Sequence, residues 1–505
     1  MSNWVHIELL PLGKMLRVKR GTALQDVLFA QGVEFPCGGR GRCKGCRVKV
    51  LAGALPITDE ERQKLTEAEL GEGWRLACRG RAEGDLKIDL AQWEAAILTD
   101  DSVFEFTPRE GLGIAVDLGT TTIVAQLVDL QTGNVLGVHT ALNAQAKHGA
   151  DIMSRVEFAV GRLSQRVLEK LVRRQIGSLA KELLAANILD GRAVKSVVIV
   201  GNTVMHHLFC GVSLEPLSHF PFEPLSPGLK VFDGVEELGW HLPGNPAVCF
   251  LPCPGSFVGS DILAGLLATK LHESERLAAL IDLGTNGEIV VGNRERLLCA
   301  STAAGPAFEG ARISMGMRAA TGAISEVRAR DGTLECHVLG NVVPRGICGS
   351  GLVDAVATGL DLGLVSPKGR LMKGEKLRLA GPVCLNQWDV RELQLAKGAI
   401  AAGLRILLEQ WGATKEDLTQ VFLAGAFGNY INQASARRSG LLDFSADRVR
   451  AAGNTALLGA KLALFSLPQH DLAYPDLLAK VKHVSLNEDP RFQERFVEEM
   501  LFPEK

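Results

Sequence analysis

Apolar and small residues alternate through Gly113–Leu118, stop at an aspartate, turn on Gly119 and three threonines, and resume as a β-branched run to Leu130. The pattern predicts a strand, a tight loop and a returning antiparallel strand. The same order recurs about 165 residues later in Leu280–Val291, LIDLGTNGEIVV. Val421–Asn429 predicts a buried strand running into a glycine turn, and Val156–Ala186, Leu352–Leu360 and Asn454–Ala463 predict helices. In the first 92 residues, Val5–Leu10 and Met15–Val18 alternate like a hairpin. Thr22–Gln31 predicts a helix there, and Arg47–Leu51 and Asp85–Leu90 short strands, which together make a small mixed α/β module.

A glycine and threonine loop between two strands suits phosphate. Gly119 allows close backbone approach to an anion, Thr120, Thr121 and Thr122 offer hydroxyls and amides, and Asp117 is placed to hold Mg2+ or its water shell. Asp282, Gly284, Thr285, Asn286 and Gly287 repeat that set. A single such hairpin is also compatible with a simple turn; duplication makes coincidence a poor explanation.

Composition removes whole classes of function. The 505 residues carry 55 Lys and Arg against 57 Asp and Glu, a net charge of -2, without a long basic block, so neither nucleic acid nor an anionic membrane is expected as a partner. The chain is 47% hydrophobic, yet no run reaches the length of a membrane span and the N-terminus lacks a signal pattern, so a cytoplasmic protein of two or three domains is expected. Four of the eleven cysteines are clustered by spacing and seven are scattered, unlike a secreted disulfide framework.

Cys37, Cys43 and Cys46 are separated by five and two residues, and Cys78 follows after 31 more. Three thiolates on one glycine-rich loop can wrap a [2Fe-2S] cluster that a distant fourth closes, with Gly38, Gly39, Gly41 and Gly45 turning amides toward the sulfurs. The spacing resembles the adrenodoxin-like branch of the ferredoxins; structural zinc is the alternative. Arg40, Arg42, Lys44, Arg47 and Lys49 surround the loop, either as a solvated face or as a collar for an acidic, low-potential electron donor protein.

Between the module and the first hairpin, Trp93–Leu112 has no sustained period and reads as a tether that leaves the module mobile. Asn143–Arg155, NAQAKHGADIMSR, carries polar groups that either reach the phosphate side of a cleft or open a solvated helix. Eight of the 20 prolines fall in Leu214–Pro254, a partner-docking surface or an irregular loop, and Cys249, Cys253, His206 and His207 read as packing groups. Ala300–Gly322 is a small-residue, methionine-containing surface on which Ser301 or Thr302 could offer a hydroxyl, or a packed turn. Gly346–Gly351 opens a helix and is weak evidence for an anion site.

The paired Asp-Leu-Gly-Thr hairpins, together with Val421–Asn429, VFLAGAFGN, resemble phosphate loops one and two and the adenosine motif of the actin, heat-shock ATPase and sugar kinase superfamily. That resemblance implies ATP between two lobes, with Gly425, Ala426, Phe427 and Gly428 at the adenosine. It also places interlobe connections at Ser196–Val212 and Asn454–Ala463. With the cysteine loop in front and GNTVMHH, PGSFVGSD, STAAGPAFEG, RGICGSGL and LAGAFGNYIN in order, the whole chain resembles the ATP-dependent reductive activators of corrinoid proteins. The implied fold is an α+β ferredoxin-like (β-grasp) domain at 1–92, a linker at 93–111, and an α/β two-lobed actin-like ATPase with ribonuclease H-like lobes at 112–505. The implied reaction is reduction of cob(II)amide to cob(I)amide in a corrinoid protein, with Asp117, Asp282 and Ser301 as the acting residues and a homodimer admitted. A tether this short has no room for the extra domain of longer relatives. A small-molecule kinase with an appended ferredoxin and a non-hydrolysing electron-transfer adaptor are the rival expectations. The activators of 2-hydroxyacyl-CoA dehydratases bridge a [4Fe-4S] cluster between subunits, which the five-two-31 spacing opposes.

Overall fold

The computed structural model describes residues 3–10, 14–29, 41, 46–90, 104, 106–149, 151–187, 194–242, 245–284, 286–310, 312–466 and 472–504, with backbone alone at 29, 426, 429 and 430. Near the N-terminus five strands form a mixed sheet in the order Lys14–Lys19, Trp4–Leu10, Leu86–Leu90, Arg47–Ala52, Trp74–Leu76. Val5, Ile7 and Leu9 alternate onto one face and bury against Leu24 and Leu28 of the helix Leu24–Phe29. That helix starts two residues later than expected, because Thr22–Ala23 pairs with Arg81–Ala82 as a strand. Two helices that the apolar pattern does not announce, Asp59–Lys64 and Glu67–Gly71, are each set by a capping box, Thr58 with Glu61 and Thr66 with Glu69.

Two six-stranded sheets follow, built to one plan. The first runs Val135–Leu142, Thr122–Asp129, Leu112–Leu118, Val194–Val200, Ala247–Phe250, Lys230–Phe232; the second runs Leu297–Thr302, Gly287–Gly292, Ala278–Leu283, Gln420–Ala424, Val449–Gly453, with Val481–His483 outside Leu297–Thr302. In each, three antiparallel strands carry the hairpin and two parallel strands extend the sheet from its first strand. Central strands are buried on both faces, so they read as continuous apolar runs. Ile114 and Val116 face the long helix Arg162–Ala186, whereas Ala115 faces a core shared with Leu280 and Phe422 of the second sheet.

That shared core contains the helices Ser260–Thr269 and Thr455–Ala463. A Cβ on Gly459 would lie 2.2 Å from the Ala264 carbonyl oxygen, so glycine sets how closely the two helices approach. The first interlobe connection, expected at Ser196–Val212, is therefore Ser260–Thr269. The helix Thr203–Cys210 instead buries Val204, Met205, Leu208 and Phe209 in the core of its own lobe, because it carries chains too large for a close helix crossing. The helix expected over Val156–Ala186 is two helices, Ile152–Ala159 and Arg162–Ala186, broken where Gly161 takes φ +118°. In the proline-rich excursion Phe232, Val235, Leu238 and Trp240 are core residues, while Phe220 and Leu225 are exposed. The last part of the presumed tether is pinned: Phe104 and Phe106 pack on Phe465 at 5.3 and 4.5 Å between ring centres, and the Arg109 amide donates to the Leu130 carbonyl.

Candidate nucleotide cleft and iron–sulfur module

The two hairpins face each other across a cleft between the sheets. Asp117, Gly119, Thr120, Thr121 and Thr122 line it from the first lobe, and Asp282, Gly284, Asn286, Gly425 and Phe427 from the second. Gly119 is required by the turn, since a Cβ there would meet the Thr122 carbonyl oxygen at 2.5 Å. Gly425, at φ +82°, ends the strand Gln420–Ala424, and its Cβ would sit 2.5 Å from Asp282 Oδ1. Asn454 ties the lobes: its Oδ1 caps Thr455–Ala463 by accepting from the Leu457 amide, and its Nδ2 donates to Asp117 Oδ2 at 3.1 Å.

Other expected residues lie elsewhere. Gly287 packs beneath Ile400 and Thr302, and Gly428 lies over Leu423; neither is in the cleft lining. Ser301 is on the strand behind the hairpin, directly opposite Glu288, with its hydroxyl donating to Glu288 Oε1 at 3.4 Å. Thr285 and the side chain of Ala426 fall outside the described residues, as do Cys37, Cys43, Arg40, Arg42 and Lys44.

Sequence patterns missed several groups that the fold adds. Asp261, in the first turn of Ser260–Thr269, Glu288, opposite Asp282 in register, and Glu309 bring the carboxylates lining the cleft to five. Burial pushes Asp117 up to about 6, against the hydrogen bond from Asn454. Burial first, then the neighbouring carboxylate Asp117, pushes Asp282 up to about 7. Asp261 rises to about 7 through burial and then Asp282, and Glu288 rises through burial and then Asp261. Gathered buried carboxylates repel one another, and a hard divalent cation such as Mg2+ suits this all-oxygen donor set. Arg318 also lines the cleft, where burial lowers its pKa to about 10. The Gly346–Gly351 turn, by contrast, reads in the sequence as a weak anion site, and its Cys348, Gly349 and Ser350 bring the N-terminus of the helix Gly349–Asp361 to the cleft. Phe308 and Phe427, stacked at 4.4 Å and both in the wall, offer an apolar face to a flat ring. Asp261 and Glu288 were visible in PGSFVGSD and GTNGE, but nothing local says that they converge.

The loop around the phosphate hairpin is braced from outside. Asn202 Nδ2 donates to Thr120 Oγ1 at 2.9 Å, the Asn143 amide donates to the Thr121 carbonyl at 2.8 Å, and Asn143 Nδ2 donates to the Gly119 carbonyl at 2.9 Å. Arg155, fully buried, donates to the carbonyls of Thr120 and Gly149.

In the N-terminal module, Cys46 immediately precedes the strand Arg47–Ala52 and Cys78 follows Trp74–Leu76. Those strands pair with Arg47 opposite Leu76, and the Ala77 amide donates to the Cys46 carbonyl at 3.0 Å, so the two cysteines lie on neighbouring segments. Cys46 is buried and Cys78 half-buried in the module's core, a setting suited to ligands that close a cluster from two chain segments. Among the described residues no helix is long and apolar enough to cross a membrane.

Comparison with known proteins agrees with this division. Residues 7–83 match the 2Fe-2S iron-sulfur cluster binding domain, 112–274 the RACo middle region, and 276–505 the C-terminal ASKHA domain of RACo. The chain is 35% identical over 444 residues to the corrinoid activation enzyme RamQ of Eubacterium limosum, covering 80% of this chain and 74% of that one. It is 29% identical over 379 residues to the [Co(II) methylated amine-specific corrinoid protein] reductase of Methanosarcina barkeri, covering 69% of each. A solved structure of a reductive activator for corrinoid, iron-sulfur protein superposes with a TM-score of 0.70 at 26% identity, covering 99% of this chain and 98% of that one. With a 2Fe-2S domain, an ATP-binding actin-like domain and these relatives along its length, the chain belongs to the RACo family of ATP-dependent reductive activators of corrinoid proteins.

Proposed function

We propose that this enzyme couples ATP turnover in the cleft to one-electron reduction of a corrinoid protein from cob(II)amide to cob(I)amide, restoring its methyl-transfer cycle. The observation that supports the reading most directly is the pair of equivalent hairpins meeting over a cluster of carboxylates in the cleft, in a chain that also carries a 2Fe-2S domain. Residues 1–92 form the electron-carrying unit, 93–111 the linker and 112–505 the ATPase. Cys37, Cys43, Cys46 and Cys78 hold the cluster, which when bound supplies a single electron at about -400 mV and is re-reduced by a low-potential donor protein. Each ~59 mV of uphill potential costs a factor of ten in a one-electron equilibrium, so a corrinoid couple below the cluster needs help.

The nucleotide can supply that help only by binding differently to two states of the protein. Gly119–Thr122, Gly284 and Asn286 hold the phosphates, Asp117 and Asp282 hold Mg2+ and orient water, and Gly425 and Phe427 approach the adenosine. Drawing both hairpins onto one nucleotide closes the lobes about the helices Ser260–Thr269 and Thr455–Ala463. The proline-rich segment, which exposes Phe220 and Leu225, then grips the corrinoid protein and changes the ligation of its cobalt, raising the cobalt potential; hydrolysis releases the reduced partner. Purified protein, a chemical reductant, a corrinoid carrier and either ATP or ADP are mixed, and the cob(I)amide absorption band is followed. ATP supports repeated formation of that band and ADP does not. Equal turnover with ADP, or zinc in place of iron on elemental analysis, refutes the coupling. Phosphoryl transfer to a metabolite, unaffected by loss of Cys37, would instead identify a kinase.

A further inference from the structure

The Asn143–Arg155 stretch, polar and without an assigned task, lies between the phosphate loop and the iron–sulfur module. At one end it is bonded into the loop: Asn143 reaches the Gly119 and Thr121 carbonyls, and Arg155 reaches Thr120 while also donating to Gln145 Oε1 at 3.3 Å. At the other end the 3-10 turn Ala144–Lys147 touches the module. Leu142, Ala144 and Ala146 pack against its hydrophobic core, and Lys147 Nζ donates to Asp26 Oδ1 at 3.0 Å. Three residues of backbone thus separate a group that braces the first phosphate loop from one that holds the module.

The second lobe holds the same module through an equivalent route. Arg345 Nη2 contacts both oxygens of Asp89 at 3.2 and 3.3 Å, and its Nη1 donates to the Leu90 carbonyl at 3.2 Å. Arg345 lies three residues before Cys348, Gly349 and Ser350, which line the cleft. The module is therefore fastened once to each lobe, at positions that follow the cleft walls. The first-lobe ion pair is weak, since the Asp26 and Lys147 side chains are 64% and 32% exposed and exposed ion pairs contribute little, whereas the Arg345 contact is partly buried and reaches both Asp89 oxygens. A rigid module bridging two bodies cannot keep both contacts when those bodies rotate toward each other.

We propose that the Asn143–Lys147 turn and Arg345 form a two-point docking surface for the chain's own N-terminal module, and that nucleotide in the cleft releases the module from it. The inference rests on nucleotide binding between the two hairpins. It assigns a task to residues that touch neither the cluster cysteines nor the phosphates, and it explains how a module seated on the ATPase becomes free to meet a partner only once ATP is bound.

Hydrogen–deuterium exchange of the full chain, with and without a magnesium complex of a non-hydrolysable ATP analogue, reads the docking directly, while calorimetry reads nucleotide binding on the same samples. The analogue is expected to speed exchange several-fold in Leu24–Phe29, Leu86–Leu90 and the Ala144–Lys147 turn. Lys147→Glu should produce that faster exchange without nucleotide and, because coupling is reciprocal, bind the analogue several-fold more tightly, and adding Asp26→Lys should restore both the slow rate and the parent affinity. Arg345→Glu, on the other lobe, should act like Lys147→Glu. Binding of the analogue with no change in the module's exchange overturns the docking switch and leaves the nucleotide site standing. Absence of binding overturns both. A charge swap that fails to restore protection overturns the Lys147 contact as a docking point.

Discussion

Substituting Gly425 by alanine tests how the cleft is assembled, and Gly453 supplies an internal control. Both residues have positive φ, +82° and +72°, so alanine at either should carry a similar backbone cost of about 1–2 kcal/mol. Their surroundings differ. At Gly453 an added Cβ meets nothing within 4 Å, whereas at Gly425 it meets Asp282 Oδ1 at 2.5 Å and the Leu283 carbonyl oxygen at 2.8 Å. Non-bonded heavy atoms settle at roughly 3.5 Å, so the Asp282 carboxylate must move by about 1 Å. A displacement of ~1 Å at a reacting centre is enough to cost about 100-fold. Thermal unfolding followed by fluorescence should therefore show the backbone loss of about 1–2 kcal/mol in Gly453→Ala and a further ~1–3 kcal/mol of overpacking in Gly425→Ala. Isothermal calorimetry with Mg-ATP should separate them much further: Gly453→Ala binds within a few-fold of the parent, and Gly425→Ala loses at least tenfold, about 1.4 kcal/mol. Equal nucleotide affinities for the two variants would show that the contact between Gly425 and Asp282 does not shape the site.

The raised carboxylates carry a pH signature. Asp117 at about 6 and Asp282 at about 7 bind more protons folded than unfolded, so the nucleotide-free protein loses stability as pH rises from about 4 to about 7, by up to about 1.4 kcal/mol per pH unit for each group. Asp282→Asn should flatten that slope in a melting-temperature series, and Mg-ATP should raise the melting temperature more at pH 8 than at pH 6; an unchanged slope refutes the assignment. Arg155→Met leaves the carbonyls of Thr120 and Gly149 buried without this donor and should destabilise by about 2–5 kcal/mol in urea titration, a loss under 1 kcal/mol showing that the brace is dispensable. Gly459→Ala places a Cβ 2.2 Å from the Ala264 backbone and should cost about 1–3 kcal/mol or more by forcing the interlobe helices apart, which the same titration measures.

Local features were legible where chemistry demands a fixed spacing. The strand, aspartate, glycine and threonine order at Asp117 and Asp282 is one such case, because a tight turn tolerates few residue types and buried strands require continuous apolar runs. The capping boxes Thr58/Glu61 and Thr66/Glu69 were equally present in the letters, but an apolar-period search passes over helices of six and five residues. At Gly161 the reverse holds: helical periodicity continues on both sides of a residue whose backbone breaks it.

The choice of Ser260–Thr269 over Ser196–Val212 as the interlobe helix was not decidable from either segment, since both are apolar. Packing against Gly459 and Leu280, residues far along the chain, settles it. The amino-acid order alone determined the paired hairpins, the cysteine spacing and the sequence of domains, all of which depend on neighbours within a few residues. Tertiary structure alone decided that Asp261 and Glu288 join Asp117 and Asp282, that Asn454 crosses from its helix cap to Asp117, and that Lys147 and Arg345 hold the N-terminal module between two lobes. Sheet register and helix contact bring such distant residues together, and neither leaves a periodic trace at the positions it joins.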